Sequence, residues 1–502
     1  MLLNVHEVYL DHNASAPVAP EVKKAMIEVL ADHFGNPSSL HTRGRIARGL
    51  VEQARATVAG ALGARADQIV FTSGGTEGNN AVIKGVVGAA AARRGAAGCH
   101  VVTSKIEHDS VLGACAQLEA TGVRVTYLGA GRDGRVEPDD LSAALTADTV
   151  LVSIMHGNNE VGALQPVEEL ARRCAAADVP FHTDAVQTFG KIAVDVGALG
   201  CDFLTLSAHK IGGPKGAGAI YARGGTPWLP LIAGGDQERG HRTGTEGVAQ
   251  IVGLGKAVEL AMAHRVSEHA RMTELRAELL SGLRTVAPTA IVNQAAPEHQ
   301  LPGTVNLTFP GHESIAVLAG LDCYEIAASV GSACTADRVE PSHVLLGMGF
   351  DRAHALSSIR LSMGPTTTTR DLRYVLKVLG EVLTHPPAGL SYLDPAHLTA
   401  ERVASPHTIV VDLRFPHERF RHPSVPGARE WSVLSFDRRA RELPRDHEVV
   451  LMCATGVISY GAGYRLARGG HPAVRVVQGG YNAWRGLYPD LMAGLREKIG
   501  PP

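Results

Sequence analysis

Long apolar runs are missing from this chain. None approaches the ~18 residues that a membrane span needs, and the opening MLLNVHEVYL lacks the basic-then-apolar pattern of an export signal. No membrane association is expected, and a cytoplasmic location is. An excess of one charge is missing too: 48 Lys and Arg face 50 Asp and Glu, for a net charge of −2. That balance gives no electrostatic drive toward nucleic acid or an anionic bilayer. Aromatic residues make up only 5%, too few for a platform on which single-stranded bases stack. The seven cysteines are odd in number and never spaced Cys-x-x-Cys, which argues against a disulfide framework and for reduced thiols. The 23 histidines are scattered, and His417 with His422 has no cysteines at zinc spacing, so no metal site is expected. The basic cluster Arg438, Arg439 and Arg441 reads as a solvated face.

What the chain does have is material for cores and a repeated theme. At 502 residues and 45% apolar, it is long enough for about three folding units. The β-branched runs 68–72, 100–103, 124–128, 150–155, 179–183 and 203–206 alternate with helical patterns such as 166–177. This predicts a mostly parallel sheet covered on both faces. Residues 247–287 read as helix, 303–309 and 359–363 as strands, and 366–384 as a closing helix with Thr369 as its cap. The stretch THPPAGLSYL (384–393) breaks the pattern with two prolines and a glycine. Beyond it lie strand runs 408–413, 448–452 and 474–477, a helix near 459–468, and the tryptophans Trp431 and Trp484. The expected division is a first domain over 1–387, a linker over 388–396 and a small domain over 397–502.

Four features of the first domain point to one kind of pocket. Lys210, in SAHK, follows a strand end, where a lysine projects into the crevice at the carboxyl edge of a sheet. Asp184, in HTDAVQ, also ends a strand, where a carboxylate can hold a pyridinium nitrogen protonated. SGGTEGNN follows a strand and opens a helix, a geometry that cradles phosphate with backbone N–H groups. His108, in EHDS, offers a flat ring for stacking. Together they describe a pocket for pyridoxal 5'-phosphate.

The motifs FGNPSSLH (34–41), VFTSGGTE (70–77), SIMHGNNEVG (153–162), HTDAVQ (182–187), SAHKIGGPKG (207–216), RTGT (242–245), GSACT (331–335) and SSIRLS (357–362) occur in order over about residues 8–385. On them the chain resembles the cysteine desulfurases of the class V aminotransferase superfamily. The resemblance implies an α/β fold of fold type I, with a large mostly parallel-sheet domain and a small α+β domain. It implies that Lys210 carries the cofactor and shuttles a proton at the substrate Cα, that Asp184 pairs with the ring nitrogen, and that Gln187 bonds the ring hydroxyl. Gly75, Thr76, Ser207 and His209 would hold the phosphate, with Thr245 contributed across a homodimer interface. His108 would stack on the ring, and Asn159 and Arg360 would grip the carboxylate of L-cysteine. For His209 a turn cap, and for Asn159 a purely local role, stay open. Cys334, in a run of Gly, Ser and Ala, would receive sulfur as a persulfide and so release alanine, whereas Cys99, Cys174 and Cys201 read as inert packing.

The tail resembles a rhodanese-like domain of α/β class, on VVDLRFPHERF (410–420), HPSVPGA (422–428), VVLMCATGVIS (449–459) and VVQGGYNAW (476–484). Cys453 would sit just after a strand, where loop N–H groups and a helix start favour an anionic sulfur. Asp412 and Arg414 look structural. The family loop reads Cys-x-x-Gly-x-Arg-Ser, but Ile458 replaces its arginine here. That loss disfavours small-anion donors and favours sulfur from a protein persulfide. The leading expectation is a desulfurase that relays sulfur from Cys334 to Cys453 and on to acceptor proteins, serving pathways such as iron–sulfur cluster assembly or tRNA thiolation. The alternatives are a desulfurase whose tail is only a docking or sensing module, and a selenocysteine lyase-type enzyme.

Overall fold

Buried β-branched runs and amphipathic helices alternate along the first 220 residues, and the sheet they build organises the molecule. The computed structural model describes residues 6–331 and 340–488. After a short strand, β1 (Val8–Tyr9), seven strands form the large sheet: β2 (Ile69–Thr72), β3 (His100–Ser104), β4 (Arg124–Leu128), β5 (Thr149–Ser153), β6 (Phe181–Asp184), β7 (Phe203–Ser207) and β8 (Gly218–Ala222). Their order is β2-β8-β7-β6-β5-β3-β4. Only β8 runs against its neighbours. The six strands expected from the sequence are present with ends within two residues, and β8 is an addition. Successive residues leave the sheet on opposite faces. Val102, Val152 and Leu204 pack into one core with Val51 and Val58, while Val101, Leu151 and Phe203 pack into another with Val82 and Val86. The sheet is therefore covered on both sides, as strands buried on both faces require.

The helix Val248–Val286 leads to a smaller, antiparallel sheet of β9 (Ile291–Asn293), β10 (Thr304–Thr308) and β12 (Ser358–Ser362), in the order β12-β10-β9. Strand β11 (Ile326–Ala327) pairs in parallel with β1, so the N-terminal segment is tied to this second layer. The helix Thr369–Thr384 closes its core through Leu372, Val375 and Leu379. Its cap is Thr368, one residue before the expected Thr369. Thr368 accepts from the Asp371 amide while Asp371 accepts from the Thr368 amide, a reciprocal pair that only this register allows.

The tail holds a parallel sheet of β13 (Leu390–Leu393), β14 (Thr408–Asp412), β15 (Arg429–Glu430), β16 (Glu448–Met452) and β17 (Val474–Val477), ordered β13-β17-β16-β14-β15. The expected linker over 388–396 is thus corrected, because it contains β13, an edge strand of the second domain's own sheet. Pro386 and Pro387, just before it, follow the end of the preceding helix, and Leu390–Leu393 then pair in parallel with Val474–Val477. Trp431 and Trp484 are buried in the two cores of this sheet. Among the described residues no helix is long and apolar enough to cross a membrane.

Asp412 and Arg414 form a buried ion pair at the end of β14, with Arg414 lying over the Tyr481 ring and donating to the His422 carbonyl. Removing one partner leaves the other charge buried and unpaired. Asp412→Ala is expected to destabilise the tail domain by about 3–5 kcal/mol in denaturant unfolding; a loss below about 1 kcal/mol would contradict this reading.

Candidate active site

The expected residues of the first domain gather at the carboxyl ends of β6 and β7, and two hydrogen-bonded chains join most of them. The first runs through a residue that sequence reasoning missed, Asn13. Lys210 Nζ donates to the carbonyls of Asn13 (2.5 Å) and Ala14 (2.9 Å). Gln187 Nε2 donates to the same Asn13 carbonyl at 3.0 Å. The Asn13 side chain donates to the Asn159 carbonyl and to Thr304 on β10. Arg360, on β12 and 2% exposed, also donates to the Asn159 carbonyl, at 3.1 Å, and its Nη2 pairs with Asp11 at 2.7 Å. Lys210, Gln187, Asn159 and Arg360 are therefore one cluster. Asn159 enters it through its backbone carbonyl.

The second chain starts at Asp184. Its Oδ2 accepts from Asn79 Nδ2 at 2.6 Å and its Oδ1 from the Val186 amide. Asn79 also donates to Ser110, whose hydroxyl lies 2.9 Å from His108 Nδ1. His108 caps the helix Asp109–Glu119 by accepting from the Ser110 amide, so its Nδ1 is committed and its ring is linked to Asp184 through Ser110 and Asn79. His209 contacts Ser15, and burial together with the charges of Lys210 and Lys215 lowers its pKa to about 4, which keeps the ring neutral.

Between these chains lies a turn suited to an anion. The helix Gly75–Arg94 begins at Gly74, which has φ 152° and gives no side-chain cap. Its first amides have no acceptor within the helix. Ser207 Oγ is buried without a partner, and a Cβ built on Gly74 would lie 3.8 Å from that oxygen, so nothing separates them. Thr76 is exposed in the same turn. An uncapped helix start facing an orphaned buried hydroxyl fits a phosphate group, and the Asp184 carboxylate and Lys210 ammonium fit the ring of pyridoxal phosphate. Thr245 is exposed in the loop before Val248 and lines a cavity of about 300 Å³ with Ser73 and Arg242. Arg242 pairs with Glu77 at 3.0 Å, which holds this loop beside the helix start of its own chain.

Cys334 lies outside the described residues. The chain leaves the described structure at Gly331, whose carbonyl is 3.4 Å from Arg360 Nη1. It resumes at Glu340, which lines a cleft of about 700 Å³ between the two domains. From the tail, Thr455, Gly456 and Arg485 line that cleft; from the first domain, Glu313 and Arg352 do. Cys453 begins the loop between β16 and the helix Val457–Arg468. Its Sγ accepts from the Gly456 amide (3.2 Å), the Ser459 amide (3.4 Å) and the Ser459 hydroxyl (3.4 Å). Two loop amides thus converge on this sulfur, and the Ser459 hydroxyl is shared between it and the Gly456 carbonyl (3.1 Å). Ile458 is partly exposed on the first turn of the helix and adds no charge. Cys174 and Cys201 are buried in the core and pushed up to about 12 by burial, in keeping with inert packing, and Cys99 is buried as well. The domains touch through Arg465 with Asp322 (3.2 Å), Arg468 over the Tyr324 ring, and Tyr392 donating to Glu313 (2.7 Å).

A large, mostly parallel sheet with a lysine and an aspartate at adjoining strand ends is the architecture of a pyridoxal-phosphate-dependent transferase. The family model described as aminotransferase class-V matches residues 8–375, and that of the rhodanese-like domain matches residues 396–487. A cysteine desulfurase IscS of Dictyoglomus turgidum is 46% identical over 377 residues, 75% of this chain and 94% of that one. One from Methanosarcina thermophila is 44% identical over 376 residues, 75% and 92% of the two chains. Among solved structures, a NifS-like protein superposes with a TM-score of 0.70 at 37% identity, covering 76% of this chain and all of the other. The chain belongs to the pyridoxal-phosphate-dependent cysteine desulfurases of the class-V aminotransferase family, and it carries a rhodanese-like domain at its C-terminal end.

Glu107 is a second residue that sequence reasoning passed over. It is fully buried, accepting from Ser104 and from the Met155 amide, and burial with the nearby Asp184 charge raises its pKa to about 8. In the unfolded chain a glutamate ionises near ~4.3. Between these values the native state binds the extra proton, so stability falls as pH rises from about 4.5 to 8, by up to roughly 1.4 kcal/mol per unit. Glu107→Gln is expected to lose this slope in unfolding measurements across that window. Parallel curves for the two proteins would contradict the assignment.

Proposed function

We propose that the chain takes sulfur from L-cysteine onto Cys334, releases L-alanine, and relays the sulfur within the same chain to Cys453 for delivery to acceptor proteins. Lys210 would hold pyridoxal phosphate covalently, Asp184 its ring nitrogen and Gln187 its hydroxyl, with His108 stacked on the ring. Gly75, Thr76, Ser207 and His209 would hold the phosphate, joined by Thr245 from a second copy. When bound, the cofactor supplies an electron sink next to the substrate Cα. Lys210 moves the proton at that carbon. Arg360, whose Nε is buried without a partner, receives the substrate carboxylate in competition with Asp11, and Asn159 supports it. The Cys334 thiolate attacks the substrate sulfur: an S–S bond forms, the Cβ–S bond breaks, and Cβ takes a proton. The Cys453 thiolate then attacks the outer sulfur of the Cys334 persulfide, so one S–S bond replaces another and the Cys334 thiolate leaves with no net oxidation.

The observation that carries the relay is where the two flanks of Cys334 lie. Gly331 touches Arg360, and Glu340 lines the cleft that the Cys453 loop also lines. Cys334 lies three positions after the first flank and six before the second, spans of at most ~10 and ~20 Å. Tethering donor and acceptor in one chain raises their effective concentration to about the millimolar range. A homodimer is supported by the exposed apolar side chains of Ile27, Leu30, Phe34 and Leu40, the last 84% exposed, along the first helix and the turn after it. Iron–sulfur cluster assembly and tRNA thiolation, in the cytoplasm, are the destinations this reading opens.

Incubation with L-cysteine, thiol blocking and peptide mass spectrometry test it. In wild type both cysteines are expected to carry persulfide; Cys334→Ala should reduce the Cys453 signal to background, and Cys453→Ala should leave Cys334 charged. A mixed dimer of one Cys334→Ala and one Cys453→Ala subunit should show none on Cys453. Persulfide on Cys453 in that dimer would place the relay between chains, and its absence from wild-type Cys453 would leave the tail as a docking module.

A further inference from the structure

Beside Lys210 lies a second lysine to which the reaction described above gives no part. Lys191 follows the Asp184–Gln187 segment, and its Nζ donates to Asn13 Oδ1 and to Gln187 Oε1, both at 3.0 Å. Those two acceptors belong to the residues that hold Lys210: the Asn13 carbonyl takes a bond from Lys210 Nζ and another from Gln187 Nε2. Lys191, Asn13 and Gln187 thus form a closed ring of hydrogen bonds. The ring fixes the Gln187 amide with its oxygen toward Lys191 and its nitrogen toward the Asn13 carbonyl. Two cations face Lys191, Lys210 and Arg360, and Asp11 pairs with the second. The neighbouring His12 is kept uncharged by burial, its pKa lowered to about 4. Burial and the charges of Lys210 and Arg360 lower Lys191 itself to about 7, and by the symmetry of Coulomb's law its charge equally opposes a positive charge on Lys210.

We propose that Lys191 is a positioning residue for Lys210: it locks Asn13 and Gln187 around the Lys210 amine and sets a like charge beside it. A lysine activated by an adjacent cation is an established chemical device. This rests on Lys210 being the cofactor-bearing lysine.

The test uses the full-length holoenzyme and reads the pH midpoint of the bound cofactor's visible absorbance change in wild type, Lys191→Met and Lys191→Arg. Loss of a neighbouring cation stabilises the protonated, positively charged nitrogen, so the midpoint is expected to rise by about one pH unit in Lys191→Met and to return toward wild type in Lys191→Arg. An unmoved midpoint at full cofactor loading would overturn the proposal. Should Lys191→Met be isolated without cofactor, the rate at which added pyridoxal phosphate develops the visible band is read instead. A fall of at least about tenfold, restored by Arg and with an unchanged melting temperature of the cofactor-free protein, supports positioning; loss that Arg does not restore, accompanied by a lowered melting temperature, overturns it. Lys210→Ala is the control for the underlying reading. If that variant keeps the visible band, Lys210 is not the linked lysine, and the fault lies there rather than with Lys191.

Discussion

One buried asparagine joins the two layers of the first domain. The Asn13 carbonyl receives Lys210 and Gln187 from the large sheet, while its side chain reaches Thr304 and the Asn159 carbonyl and receives Lys191. Its amide donates to Ser362 on β12. Every polar group of this residue thus has a partner, as burial demands, and the partners come from segments up to 349 positions apart. The N-terminal segment is positioned for this because β1 pairs with β11 and Asp11 bridges to Ser362. The candidate site is built at this joint, with Lys210 and Gln187 on the large sheet and Arg360 on the small one.

The tail repeats the same economy on a smaller scale. A parallel sheet ends at Met452, the chain turns, and the loop amides converge on one sulfur. Gly456, at φ 94°, and Gly480, where a Cβ would lie 2.4 Å from the Cys453 carbonyl, are the two positions where that turn needs glycine. With Ile458 in place of an arginine, residues 454–459 carry no charged side chain.

Much of this was legible in the sequence because it is local. Strands β2 to β7 announce themselves as β-branched runs, and Lys210, Asp184 and Cys453 are marked by the strands they follow. Three features were hidden for physical reasons. Strand β8, GAIYA, is rich in small residues and follows a glycine-rich turn, so it resembles loop. Strand β13 sits behind two prolines and a glycine and exists only because β17 offers an edge. The Thr368 cap differs from Thr369 only in which side chain meets Asp371. Asn13 and Asn79 left no local signal, since their side-chain bonds span distant segments, and of the two Lys191 bonds only the one to Gln187 is local; the one available hint was a pair of polar residues, His12 and Asn13, between the first strand and a proline.

Hydrogen exchange of Asn13→Ala by mass spectrometry, with the bound cofactor read from its visible absorbance, tests the joint most directly. The account predicts that exchange rises together in residues 304–308, 358–362 and 184–191, and that cofactor retention falls with it. Exchange in the small sheet that stays as slow as in wild type would show that the two layers are held by other contacts and would contradict the account.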